Sequence, residues 1–381
     1  MFFSISKQIQ KNFPNQYLVG EFVINTDPGW DIAVINGSTV VYKGYADKFD
    51  LSKNIEFILS DSIPHVSGNF CILEYTNNCI KIHSSLCRSF PIYIDDFSVN
   101  NLVPTNKIVW ANQLLTINSD MSTTETKFNV VGNIDDSILT RQEVETEIVK
   151  ILDNKTKDFL SYNTLPIKVF LSGGVDSLLV YSFLQKHTSN FEKIKYFHVD
   201  LDHFWLSNYG DIIKFWAYNQ IHHWESPTIL TSGAPGDEFT LRAPLTGGMS
   251  LKFHGIDILG LVEKNIGMQK TYFLKDKNIK IFNDVIKTPP IKNKIFLIHQ
   301  LCTINSNDWQ HWHIGNTLTW TPLRDLEIFK LFLRLPIEDQ IDQFLDSKIT
   351  KNIIERNCPG LSRLVADQKN SGNWMKNLVD K

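Results

Sequence analysis

The stretch VFLSGGVDSLLVY, residues 169–181, limits the folds open to this chain more than any other segment. A short apolar run meets two adjacent glycines set among serines and an aspartate, and a second apolar run follows. Adjacent glycines weaken either regular structure, so the segment reads as strand, tight turn, helix. The same rhythm extends around it. IKVFL is a buried-type strand and SLLVYSFLQKH a helix. IKYFHVDL is a second strand, GDIIKFWAYNQI a second helix and TILTS a third strand. Strands alternating with helices imply βαβ units and a parallel sheet. From about residue 325 the chain reads as helical, in LEIFKLFLRLP, IEDQIDQFLD and KITKNIIERN.

Residues 1–115 keep a different period. YLVGEFVI, WDIAVI, STVVYKGY, GNFCILEY and CIKIHSS are short β-type runs between turn residues, which predicts mostly antiparallel sheet. The polar stretch TINSDMSTTETKFN, residues 116–129, predicts a linker. RQEVETEIVKILDNKTKDFL then places Val144, Ile148, Ile151 and Leu152 at helical spacing. The expected organisation is a first domain over 1–115, a linker over 116–140 and a second domain over 141–381, and a length of 381 residues suits two cores.

Composition removes several classes of function. A content of 43% hydrophobic and 21% charged residues is that of a globular protein, and a net charge of −3 gives no global sign of nucleic-acid binding. No apolar run reaches the length of a membrane span, and the start MFFSISKQIQKNF lacks the apolar core of a signal peptide. Five cysteines, without a CxxC pair, suit reduced thiols and a cytoplasmic protein. Residues 252–294 carry nine lysines against four acidic residues, which reads as a solvated surface, with contact to an acidic substrate or partner as the alternative.

The turn SGGVDS sits where a strand hands over to a helix, and in open parallel sheets ligands bind at the carboxyl ends of strands. The helix start offers free N–H groups, Gly173 and Gly174 allow close backbone approach, and Ser172 and Ser177 add hydroxyls. This is a phosphate cradle, and without GK[ST] it is not a Walker A loop. Asp176 is the informative residue. A carboxylate facing phosphate is repulsive unless a cation lies between them, and Mg²⁺ held by carboxylate and phosphate oxygens resolves the conflict.

LSGGVDS closely resembles the PP-loop of ATP pyrophosphatases, which split ATP into AMP and pyrophosphate. Within that group the chain resembles the asparagine synthetase superfamily, which includes β-lactam synthetases and lasso-peptide cyclases. YGDIIKFWAYNQIHHW, TSGAPGDEF, WTPLRD and ADQKNSGNW resemble further segments of that superfamily in the right order, over about residues 141–381. The resemblance implies that Ser172, Gly173, Gly174, Asp176 and Ser177 hold the pyrophosphate, and that Asp176 and Asp237 hold Mg²⁺. It implies Val199 and Asp200 near the adenine, with Val169, Phe170 and Leu171 also approaching the nucleotide. Ser232 and Gly233 would lie near the α-phosphate and ribose. Lys369 would stabilise charge developing in the transition state.

The pattern also breaks. Ala234 replaces an expected Glu, and Leu318 and Trp320 stand where Glu and Arg are usual. Arg324 stands at a usually apolar place, as an anion contact or a surface charge. The segment between His223 and Ser232 is short. These positions shape the acceptor pocket, so an aspartate substrate is not implied. His222 and His223 read as packing residues, and His311 and His313 lack a ligand set for zinc.

VSGNFCILEYTNNCIKIHSSLCRSFPIYI, residues 66–94, resembles class II glutamine amidotransferase domains, whose N-terminal Cys is the nucleophile. Here residue 2 is Phe, which implies a domain that keeps the fold and lacks glutaminase activity. The expected fold is thus a degenerate Ntn-hydrolase-like αββα sandwich followed by a parallel-sheet α/β PP-loop domain with a helical C-terminal part. The expected function is an AMP-forming amide ligase using ATP and Mg²⁺ on small-molecule or peptide carboxylates and amines, with neither membrane nor nucleic acid as partner; a homodimer stays open. Three alternatives also stay open: a PP-loop enzyme modifying tRNA or a nucleobase, an ammonia-using asparagine synthetase, and a non-catalytic nucleotide-binding protein.

Overall fold

A computed structural model describes residues 3–11, 13–47, 50–60, 66–85, 92–100, 107–109, 113–127, 137–171, 174–195, 227–231, 233, 236–242 and 317–365. The described residues are mixed α/β and form three sheets, one of them parallel. The first part carries β1 (Phe3–Ser6), β2 (Asn15–Val19), β3 (Phe22–Thr26), β4 (Asp31–Ile35), β5 (Ser38–Ala46), α1 (Leu51–Leu59), β6 (Gly68–Thr76), β7 (Cys79–Ser84), β8 (Ile92–Ile94), β9 (Ser98–Asn100), β10 (Lys107–Val109), β11 (Gln113–Asn118) and β12 (Thr123–Lys127). They form two six-stranded antiparallel sheets, ordered β10-β8-β9-β1-β3-β2 and β12-β11-β7-β6-β5-β4.

Strand alternation gives the layers. Phe3, Ile5, Phe22 and Ile24 from one sheet meet Val41, Cys71, Leu73, Ile80 and Ile82 from the other in a shared core. The opposite face of β5 and β6 presents Val40, Phe70 and Ile72 to Leu51, Ile55 and Ile58 of α1. Two-residue turns with positive φ close two of the hairpins, Asn36–Gly37 between β4 and β5 and Asn77–Asn78 between β6 and β7.

The expected linker differs from the structure. Residues 116–118 and 123–127 belong to the hairpin β11–β12 at the edge of the second sheet. Leu115 and Ile117 are buried in the shared core, so QLLTIN alternates as a strand does. Thr116 and Asn118 are the outward half of that alternation, and β12, TTETK, is an edge strand with no buried position.

The second part carries α2 (Arg141–Tyr162), β13 (Ile167–Leu171), α3 (Val175–His187), β14 (Glu192–Lys195), β15 (Thr228–Thr231), α4 (Gly236–Phe239), β16 (Thr317–Trp320), α5 (Leu326–Phe332), α6 (Ile337–Asp346) and α7 (Lys348–Asn357). Thr140 and Glu143 form a reciprocal capping box at the start of α2, and Val144, Ile148, Leu152 and Phe159 make its buried stripe. The expected strands IKVFL and TILTS, the helix SLLVYSFLQKH and the three C-terminal helices are all present. GDIIKFWAYNQI and most of IKYFHVDL lie outside the described residues. β14, β13, β15 and β16 lie in that order, all parallel. The chain enters at β13, runs through α3 to β14 on one side, and resumes at β15 on the other. The sheet therefore reverses its winding between β13 and β15, the place where open α/β sheets bind ligands.

α2 and α3 are clasped by Asp153, which contacts Lys157, Lys186 and His187. Burial alone would raise its pKa, and hydrogen bonds from Lys157, Lys186 and His187, with the Lys186 charge, instead hold it well below the usual carboxylate range. A depressed folded pKa stabilises above the unfolded value near 4 and loses that contribution as pH falls. Asp153→Asn is expected to cost about 1–2 kcal/mol at pH 7 and progressively less below pH 4, read by urea denaturation across pH.

Candidate functional site

The glycine turn leaves β13 at Leu171 and enters α3 through Gly174, whose backbone is extended (φ −72°, ψ 153°) and which offers no side-chain cap. Ser177 is buried, and its hydroxyl donates to the Gly174 carbonyl at 2.8 Å, closing the first helical turn. That proton is therefore directed at the protein's own backbone.

The second loop leaves the neighbouring strand β15. Gly236 N–H donates to the Gly233 carbonyl at 2.6 Å, a tight turn that delivers the chain into α4. Both glycines are required by contact with the first loop. A Cβ on Gly233 would lie 2.2 Å from the Asp176 carbonyl carbon and 2.2 Å from the Ser177 nitrogen. A Cβ on Gly236 would lie 2.4 Å from Asp176 Cγ. The two loops are thus pressed together at Asp176. Thr231, which ends β15, is fully buried, and its hydroxyl has no hydrogen-bond partner among the described residues.

Arg242 completes the described site. Its Nη1 donates to Asp176 Oδ1 at 2.5 Å, with the two side chains 3% and 13% exposed. Two features aim it there. Phe239 is buried against Phe329, fixing α4 on the core. Leu241, also buried, adopts φ 56°, a left-handed conformation rare for leucine, which turns the chain immediately before Arg242. Sequence reasoning missed Arg242; its signal is a lone cation in the otherwise uncharged run FTLRAPL.

Of the expected site residues, Leu171, Gly174, Asp176, Ser177 and Gly233 meet at the junction of β13, β15 and α3. The backbone of Asp237 lies at the start of α4, beside Gly236. Ser172, Gly173, Val199, Asp200, Ser232 and Lys369 lie outside the described residues, as do His222, His223, His311, His313 and residues 252–294. Trp320 is fully buried and stacks on Phe159 at 4.3 Å, so it belongs to the core between sheet and α2. Arg324 is buried too, which removes the surface-charge reading.

Among the described residues no three His, Cys, Asp or Glu side chains cluster. Asp176 is one carboxylate donor, and Mg²⁺ takes one or two carboxylates and completes its shell with water and phosphate. Asp176 already carries a guanidinium, so a metal ion there would compete with Arg242 for the carboxylate. Among the described residues no helix is long and apolar enough to cross a membrane. Comparison with known protein families and with curated proteins finds no match.

Proposed function

We propose that this chain is an ATP-dependent, AMP-forming ligase that joins a carboxylate to an amine, built from a PP-loop-type domain and an Ntn-hydrolase-like partner without glutaminase activity. The observation that carries the reading is the meeting of the SGGVDS and GAPGDE loops at Asp176, on adjacent parallel strands where the sheet reverses. Asp176, with Asp237 as second donor, would hold Mg²⁺, which offsets phosphate charge when bound. The uncapped start of α3 at Gly174 presents N–H groups to phosphate oxygens. A substrate carboxylate oxygen attacks the α-phosphorus and pyrophosphate leaves. The amine then attacks the acyl carbon and AMP leaves with the bonding electrons.

The amine comes from a substrate in this reading, not from glutamine. The described cysteines, Cys71, Cys79 and Cys358, lie in β6, in β7 and after α7. The Arg242 pair favours a second reading: Asp176 already neutralised, and nucleotide bound without turnover.

Pyrophosphate release measured with ATP and Mg²⁺ against a panel of acids and amines separates the two. The ligase reading expects pyrophosphate and AMP in equal amounts, dependent on a carboxylate. Nucleotide binding with no pyrophosphate from any pair would overturn it in favour of the binding protein.

A further inference from the structure

Arg242 has no place in the ligase reading, yet it occupies the carboxylate on which that reading depends. The placement is built rather than incidental. The left-handed turn at Leu241 brings Arg242 round, Gly233 and Gly236 bring Asp176 up, and the pair is almost wholly enclosed. A carboxylate so enclosed is costly without a counter-charge. Guanidinium is permanently charged, and its planar fork suits phosphate as well as carboxylate.

We propose that Arg242 is a positioning residue that competes with the divalent cation for Asp176: it holds the carboxylate while the site lacks nucleotide and releases it when phosphate arrives. This rests on the proposed metal–nucleotide site. Arg242 and a divalent cation would compete for the one Asp176 carboxylate, so metal alone would bind weakly. Phosphate supplies Arg242 with another anion, and metal capture becomes conditional on nucleotide.

The test is Mn²⁺ titration of the whole protein without nucleotide, followed by the electron paramagnetic resonance of free Mn²⁺, with melting temperature recorded in parallel. Arg242→Gln is expected to bind Mn²⁺ roughly tenfold tighter than the parent and to gain more melting temperature from it. The gain disappears in Arg242→Gln with Asp176→Asn. Arg242→Lys, with the charge on a shorter arm, gives a smaller gain in the same direction and carries the test if the glutamine variant does not fold. A Mn²⁺ affinity unchanged or weaker in both variants overturns the proposal, as does a gain that survives Asp176→Asn. Adding ATP to the parent protein separates this from the underlying reading. If ATP raises Mn²⁺ uptake while the Arg242 variants gain nothing, only the role of Arg242 falls. If ATP never raises uptake, the metal–nucleotide site falls and this inference with it.

Discussion

Replacing Lys155 with methionine is expected to lower the unfolding free energy by about 3–5 kcal/mol. Lys155 lies on α2, fully enclosed, and its ammonium contacts Asp47 at 2.7 Å and Asp325 at 2.7 Å. Asp47 follows β5 in the first part of the chain, and Asp325 caps α5 in the second by accepting from the Glu327 and Ile328 N–H groups. Burial alone would lower the Lys155 pKa, and Asp325 and Asp47 together drive it well above the ordinary ammonium value. Burial likewise acts to raise the pKa of Asp325, and Lys155 with the two N–H groups brings it below the ordinary range. Methionine fills a similar volume but takes the ammonium away from two buried carboxylates. Their loss of a counter-charge, rather than the loss of one attractive contact, sets the size of the effect.

Around this triad the two parts of the chain are bonded directly. Tyr45 accepts from Thr321 N–H at 2.7 Å, Tyr162 donates to the Ala46 carbonyl at 2.5 Å, and Tyr45 meets Phe159 edge to face at 6.3 Å. The variant is therefore expected to loosen the junction as well as to lower stability. Urea denaturation followed by fluorescence and by far-ultraviolet circular dichroism checks both, because a loosened junction separates the two curves. The deficit is expected to shrink below about pH 5, where stranded carboxylates take up protons. A loss under 1 kcal/mol would refute the assignment of Lys155 as the counter-charge of this junction.

The legible and illegible parts of this molecule divide by the range of the interactions. Strand alternation, helical spacing and glycine turns are local, so IKVFL, SLLVYSFLQKH, TILTS and the helices after Asp325 stand where the sequence places them. The hairpin β11–β12 is missed because β12, TTETK, is an edge strand with no buried position and so carries no apolar alternation to read. The junction triad is invisible for a different reason. Asp47, Lys155 and Asp325 are ordinary charged residues in three distant segments, and only the packed fold makes each the partner of another. Asp176 stands out through its loop. Arg242 does not, since its role depends on the left-handed turn at Leu241 and on a strand pairing far away in sequence.

Alanine at Gly236 is expected to reduce pyrophosphate release as deeply as Asp176→Asn, by on the order of 10²–10³-fold, with little further loss when the two changes are combined. The added methyl would meet Asp176 Cγ at 2.4 Å and Oδ1 at 2.8 Å, so it acts on the carboxylate itself. Two changes that disable one group do not add. Gly233→Ala differs, because its neighbours at 2.2 Å are the backbone of Asp176 and Ser177. α3 has nowhere to retreat, with Val175, Ser177, Leu178 and Leu179 all buried. That variant is expected to lose about 1–3 kcal/mol of stability in addition to activity, as overpacked sites do. Steady-state pyrophosphate release and thermal unfolding of the three single variants and the Gly236→Ala, Asp176→Asn pair measure all of this. If the activity losses of that pair multiply, the second loop acts through something other than the Asp176 carboxylate. The glycines would then be requirements of packing alone, and the meeting of the two loops would no longer support a nucleotide site.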